Sequence, residues 1–143
     1  MTLYELPVTG AVFDHVAIAA PRIADLTPLY IEVLGGQIIY TGEDDPDYGF
    51  RVIHVGFKDG TKVELMEPST QSTFFDSFFR RNPEGGLHHV TFLVDDVNVA
   101  AAACSAAGYQ VFGVRRQSGW NECFLHPRST CGTLVQLADM ATS

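Results

Sequence analysis

Apolar and polar positions along this chain alternate over short runs, broken twice by stretches in which apolar residues recur at helical spacing. The first run, Phe13 to Ala20, reads as a strand, and Leu26, Leu29, Tyr30, Val33 and Leu34 after it fall on one face of a helix. Thr27-Pro28 supplies a cap and first turn, and Gly35-Gly36 a stop. Three strands are predicted next, at 37–41, 50–57 and 62–67. The order then returns: a strand from Leu87 to Val94, a helix with Val97, Ala100, Ala101, Cys104 and Ala107 on one face and Gly108 at its end, and strands at 109–114, 121–125 and 133–138.

The recurrence is also visible in the residues themselves. Phe13-Asp14-His15-Val16-Ala17-Ile18-Ala19-Ala20 reappears 74 positions later as Leu87-His88-His89-Val90-Thr91-Phe92-Leu93-Val94, and Val63-Glu64-Leu65 reappears 72 positions later as Val135-Gln136-Leu137. Each half therefore reads βαβββ, and the expected class is α+β. We expect a single domain over 1–143, with module one at about 11–70, a linker helix at about 71–84 and module two at about 85–140. In the linker, Phe74, Phe75, Phe78 and Phe79 form a stripe ahead of Arg80-Arg81 that either docks on a sheet or closes a pocket. Asn82-Pro83-Glu84-Gly85-Gly86 is a turn cluster leading into the second half.

Composition narrows the classes of function. With 143 residues, 46% hydrophobic and 18% charged, the chain can bury a core and is not intrinsically disordered. Nine basic against seventeen acidic residues give a formal charge of -8 and a pI near 4.9, the wrong sign for a nucleic-acid backbone. No apolar run approaches the ~18 residues of a membrane span, and Met1 to Gly10 lacks a basic flank followed by an apolar core. The expectation is a cytoplasmic protein with neither a nucleic-acid nor a membrane partner. Cys104, Cys123 and Cys131, odd in number and without CxxC spacing, read as free thiols.

Repetition pairs His15 with His89 and Glu64 with Gln136. Neighbouring side chains on a strand face opposite ways, so His89 shares the phase of His15, whereas His88 falls on the other face and is expected to be structural. Two imidazoles, a carboxylate and an amide oxygen suit one divalent ion of the Co, Ni, Mn, Fe or Zn type with positions open to substrate. Any one histidine near a strand start, taken alone, is more often a satisfied structural residue than a metal ligand, and it is the repetition of four positions that favours a site.

Asp14-His15-Val16-Ala17-Ile18-Ala19, Tyr30 with Leu34-Gly35, and Val63-Glu64-Leu65-Met66-Glu67-Pro68 stand in the first half. Gly85-Gly86-Leu87-His88-His89-Val90, Val94-Asp95-Asp96-Val97, Phe124-Leu125-His126-Pro127-Arg128-Ser129-Thr130 and Gly132-Thr133-Leu134-Val135 stand in the second. In order and spacing these strings resemble the vicinal oxygen chelate superfamily (glyoxalase/bleomycin resistance/dioxygenase), and more narrowly methylmalonyl-CoA epimerase, over residues 12 to 139. The resemblance implies two tandem βαβββ modules forming a cupped, incomplete barrel around one divalent metal. It implies His15, Glu64, His89 and Gln136 as ligands, with a departure: the epimerase has Gln at the first of the two closing-strand positions and Glu at the second, and here they are exchanged. In the epimerase that second-half glutamate doubles as an acid/base, which an amide cannot do near neutral pH.

A mirrored arrangement then makes Glu64 the base. Asp47, in Asp47-Tyr48-Gly49-Phe50, is the nearest match to the family's second acid, or else it belongs with Glu43, Asp44 and Asp45 to a solvated acidic loop around Pro46. His126, Ser129 and Thr130 stand where the family contacts the thioester, though a turn before the last strand uses the same residue types. Arg80-Arg81 and Arg115-Arg116 either meet CoA phosphates or are solvated, and Gln117-Ser118-Gly119-Trp120-Asn121 replaces the family's usual turn. The implied activity is epimerisation or isomerisation of an acyl-CoA or related dicarbonyl compound through a metal-stabilised enolate, by an enzyme working as a homodimer. Alternatives on the same scaffold are a glyoxalase-like lyase or thiol transferase, a drug-sequestering protein with an aromatic cleft of Trp120, Tyr48 and the Phe74 to Phe79 stripe, and an extradiol dioxygenase.

Overall fold

The computed structural model describes residues 6–45, 47–117 and 119–140. Pro46 and Ser118, and with them parts of the acidic-loop and replaced-turn expectations, lie outside the described residues, as do Met1 to Glu5 and Ala141 to Ser143. The chain forms two compact units, His15–His88 and a second built from Met1–Asp14 and His89–Ser143. The elements run β1 Val12–Ala19, β2 Gln37–Thr41, β3 Phe50–Gly56, β4 Lys62–Pro68, α1 Asp76–Arg81, β5 Gly86–Leu93, α2 Val97–Ala106, β6 Val111–Gln117, β7 Trp120–Leu125 and β8 Val135–Asp139. None of the described helices is long and apolar enough to cross a membrane.

In the first unit the strand order is β2-β3-β4-β1; in the second it is β6-β7-β8-β5. β1 runs parallel to β4, with Ala17 opposite Glu64, and β5 runs parallel to β8, with Thr91 opposite Gln136. Those pairs are the same two positions 74 and 72 residues apart, so the internal repeat is preserved in strand register as well as in sequence. The remaining pairs, β3 with β4, β2 with β3, β7 with β8 and β6 with β7, are antiparallel. This is the expected α+β class of two βαβββ modules.

The first predicted helix is different in form. Ile23–Asp25 makes a 3-10 turn and Pro28–Val33 a single π turn, in which Leu34 N donates to Leu29 O five residues back. The wider turn shifts the side chains off the face predicted for an α-helix. Ile23, Leu26, Tyr30 and Ile31 pack on Ile53, Val55 and Leu65, while Leu29, Val33 and Leu34 are exposed. Gly36, which follows, has to be glycine: a Cβ there would lie 2.3 Å from Val55 Cγ1 and 2.7 Å from Tyr30 O. That contact lets the chain enter β2 directly against the core strand.

α2 matches the pattern read from its sequence. Val97 and Ala100 are buried, with Ala101 and Cys104 against Val94, Cys123 and Leu137. Its N-terminus is capped twice. Asp96 Oδ1 accepts from Asn98 N and Val99 N, and the buried Asp139 accepts from Val97 N at 2.7 Å through Oδ2 while Asn121 Nδ2 donates to its Oδ1. One carboxylate thus ties the helix start to β7 and β8.

The phenylalanine stripe docks. Phe75 is 1% exposed and packs on Ala17, Ala19 and Met66, with Phe50, Val52, Phe78 and Phe79 around it; Phe74 is exposed. His88 points to this side of β5, its ring 5.1–5.2 Å from Phe75 and Phe78, and its burial pushes the imidazole pKa down to about 4 against the raising effect of Glu64. The structural role expected of His88 is therefore that of a neutral ring in an aromatic cluster.

Two tests follow from this packing. Phe75→Ala should lower the stability of the chain by about 3–5 kcal/mol in urea unfolding, with little change in m-value; a loss below about 1 kcal/mol would show that the stripe does not hold this side of the sheet. All three cysteines are unbridged, Cys131 exposed and Cys123 buried with its thiol pushed up to about 11 by desolvation. A disulfide reagent at pH 8 should accordingly label Cys131 rapidly and Cys123 only on unfolding, as read by peptide mass.

Candidate metal centre

In the unit His15–His88, the two-residue period of β1 places His15, Ala17 and Ala19 on the buried face. β4 delivers Glu64 beside β1. Glu64 Oε2 is 3.6 Å from Nε2 of the buried His15, too far for a hydrogen bond. Its direct partner is one the sequence reading overlooked: His54 Nε2 lies 2.8 Å from the same oxygen. The two residues are cross-strand neighbours in the β3–β4 hairpin, and the His54 ring stacks within 5.1 Å of Tyr40 and 5.4 Å of His15. The signal was available. A turn at Lys58-Asp59-Gly60, held by Asp59 Oδ1 accepting from Thr61 N and Oγ1, sets the register that puts 54 opposite 64. Those same bonds hold the Asp59 carboxyl below its ordinary pKa.

In the other unit, β5 turns His89 and Thr91 to one buried face, as expected, with the His89 ring edge-on to Phe124 at 6.3 Å. Gln136 is buried on β8, and its amide is held at both ends. Oε1 accepts from Thr91 Oγ1 at 2.7 Å, and Nε2 donates to Glu122 Oε1 at 3.4 Å, an oxygen that also accepts from Trp120 Nε1 at 2.7 Å. Glu122 was also missed by the sequence reading. Cys123 and Leu125 are the buried positions of β7, so alternation places Trp120, Glu122 and Phe124 on the face away from α2.

The other candidates are used locally. Asp47 is exposed in a turn where its backbone N–H donates to Asp45 Oδ1, and the acidic loop is partly anchored, because the hydroxyl of buried Ser69 donates to Asp44. His126 Nδ1 accepts from Arg128 N, Ser129 Oγ donates to His126 O and accepts from Gln110 N, and Thr130 Oγ1 donates to Thr133 O. These bonds build the turn before β8.

Among the described residues, His15, Glu64 and His89 form a group that could hold a metal ion. Two imidazoles and one carboxylate fit a borderline divalent cation by donor type.

Residues 14–124 match the Glyoxalase/Bleomycin resistance protein/Dioxygenase superfamily, and the chain belongs to that superfamily. Within it the chain is similar to the ethylmalonyl-CoA/methylmalonyl-CoA epimerase of Cereibacter sphaeroides, 34% identical with 87% of this chain and 94% of the relative covered. It is also similar to the mitochondrial methylmalonyl-CoA epimerase of Homo sapiens, 30% identical over 91% of this chain and 77% of the relative. Among solved structures, a methylmalonyl-CoA epimerase in complex with methylmalonyl-CoA and NH4+ matches with a TM-score of 0.76 at 27% identity, covering 92% of this chain and 95% of that one. A Streptomyces coelicolor methylmalonyl-CoA epimerase variant in complex with 2-nitronate-propionyl-CoA matches with the same TM-score and identity over 94% and 99%. The protein is a methylmalonyl-CoA epimerase-like enzyme of the vicinal oxygen chelate superfamily, with the glyoxalase-like α+β fold.

The His54–Glu64 hydrogen bond can be weighed by a double-mutant cycle. With His54→Leu and Glu64→Gln, urea unfolding of metal-free protein should give a coupling of about 1.5–3 kcal/mol, the range for a hydrogen bond to a charged group; coupling near zero would mean the pair contributes no net stability.

Proposed function

We propose that the protein epimerises a 2-alkylmalonyl-CoA thioester, such as the methylmalonyl-CoA named for its relatives, with one divalent ion of the Co, Ni, Mn, Fe or Zn type held by His15, Glu64, His89 and Gln136. The observation that carries this reading is the donor group His15, Glu64 and His89 in a chain 34% identical to an ethylmalonyl-CoA/methylmalonyl-CoA epimerase. Gln136 enters through its place in the repeat, with its amide oxygen already oriented by Thr91.

When bound, such an ion would neutralise the negative charge that develops on the thioester carbonyl oxygen as the α-proton leaves. The chain's own groups do the rest. His15 and His89, buried on their strands, present imidazoles whose orientation is fixed by packing. Glu64 accepts the α-proton as the C–H bond breaks and its electron pair passes into the thioester carbonyl. Return of a proton to the other side of the carbon gives the inverted centre, and Asp47 is the first-half candidate for a second acid. The His126 to Thr130 turn is assigned to the acyl portion. Val33 and Leu34, together with Ile38 and Ile39 of edge strand β2, leave apolar surface exposed that supports assembly as a homodimer. We assign the enzyme to the cytoplasm.

Mass spectrometry of native protein should find one such metal per chain, lost in His15→Ala and Glu64→Ala. Metal-loaded protein incubated with methylmalonyl-CoA in deuterated water should place label at the α-carbon. No label with either epimer, at full metal occupancy, would remove this substrate class.

A further inference from the structure

We propose that His54 is a positioning residue of the metal centre: its imidazole holds the Glu64 carboxylate in the orientation in which that group meets a divalent ion. The proposal rests on the assignment of His15 and Glu64 as ligands given above, and it adds β3 to the strands that build the site. Carboxylates that bind metals are as a rule hydrogen-bonded in turn, and the partner fixes how the ligand oxygen is presented.

The bond has one sense. His54 Nε2 lies 2.8 Å from Glu64 Oε2, and because a carboxylate only accepts, the proton between them is carried by Nε2 and the imidazole is the donor. A ring nitrogen that carries a proton is not a ligand, so His54 holds Glu64 and does not itself bind the ion through that atom. The oxygen it holds is the one 3.6 Å from His15 Nε2. Two donors bound to one ion at about 2.0–2.2 Å stand roughly 3–3.5 Å apart, close to that spacing. The His54 and Glu64 side chains are 18% and 13% exposed, so water competes little for the bond. Glu64 also meets His15 and, electrostatically, His88; His54 is therefore one of several neighbours, and its removal weakens the site without abolishing it.

Two features of the sheet bring the ring there. β3 and β4 pair with His54 opposite Glu64. A bulge in β2 between Ile38 and Tyr40 then sets Tyr40, in place of Ile39, opposite His54, with the two rings 5.1 Å apart and the His15 ring 5.4 Å from the same imidazole. The other half holds its closing-strand residue from the opposite neighbour. On β7 the residue facing Gln136 is Phe124, which has nothing to donate, and Thr91 of β5 supplies the hydrogen bond instead; Ala17 occupies the place of Thr91 in the first half. The repeat thus provides a side-chain donor to each closing-strand residue from a different adjacent strand, and the carboxylate is the one served by an imidazole.

The test titrates Co2+ into metal-free, full-length protein in competition with a chromophoric chelator. His54→Phe keeps a ring without a donor, His54→Leu removes both, and His54→Gln keeps an N–H where Nε2 stood. Leu26→Ala is the control for lost stability alone, because Leu26 packs with Ile53, Val55 and Leu65 on the side of β3 away from His54. Circular dichroism and thermal unfolding of the metal-free chains establish which variants are folded at the titration temperature. His54→Phe and His54→Leu should bind Co2+ about 10- to 100-fold more weakly than wild type, whereas His54→Gln and Leu26→Ala should stay within about threefold. Affinity within about threefold of wild type in the folded Phe or Leu variant would overturn the proposal. So would a loss in His54→Gln equal to theirs, or one as large in Leu26→Ala, since the first takes the effect away from the donor and the second marks a merely structural residue. Wild-type protein that binds no Co2+ would instead overturn the assignment of His15 and Glu64 as ligands, and the role of His54 with it.

Discussion

A strand has two faces, and the parallel pairing of β1 with β4, repeated as β5 with β8, decides which face each chemical group in this chain takes. Sliding either pair by one residue would exchange every inward side chain for its neighbour. His88 and His89 show what that means: one ring lies neutral among phenylalanines, and the next along the chain shares a buried face with Thr91. The register is held from the outside. Phe75 fixes the helix side of one unit, while α2, capped by Asp96 and Asp139, fixes that of the other.

The two halves use this shared framework differently. In the first, the carboxylate of Glu64 is engaged by an imidazole from the neighbouring strand. In the second, the equivalent position is an amide, and the carboxylate has moved to the neighbouring strand. Each half therefore keeps one acidic side chain and one partner on an adjacent pair of strands, with the roles of the two strands interchanged. Duplication supplied two copies of a scaffold, and divergence at Thr91, Glu122 and Gln136 made them unequal.

Much of this was legible in the sequence because it depends on local periodicity. Seven of the eight strands lie within two residues of their predicted limits, the α2 face is the predicted one, and the phase of His15 and His89 follows from alternation alone. β6 is the exception, since it begins two residues late and runs three beyond the predicted end. The first helix was misread because periodicity assumes α geometry, and a π turn at Pro28–Val33 changes which residues face inward. His54 and Glu122 were missed for another reason. Their importance comes from a neighbour across the sheet, and only hairpin register brings 54 to 64 or sets 122 near 136.

The contact between Gln136 and Glu122 also couples two positions of the sheet. A carboxylate placed at position 136 would stand against the carboxylate already at 122, and like charges at that separation oppose each other inside a partly buried sheet. The neutral amide at 136 and the charge at 122 are therefore one choice made twice, and a substitution at either position is felt at the other through a single 3.4 Å contact.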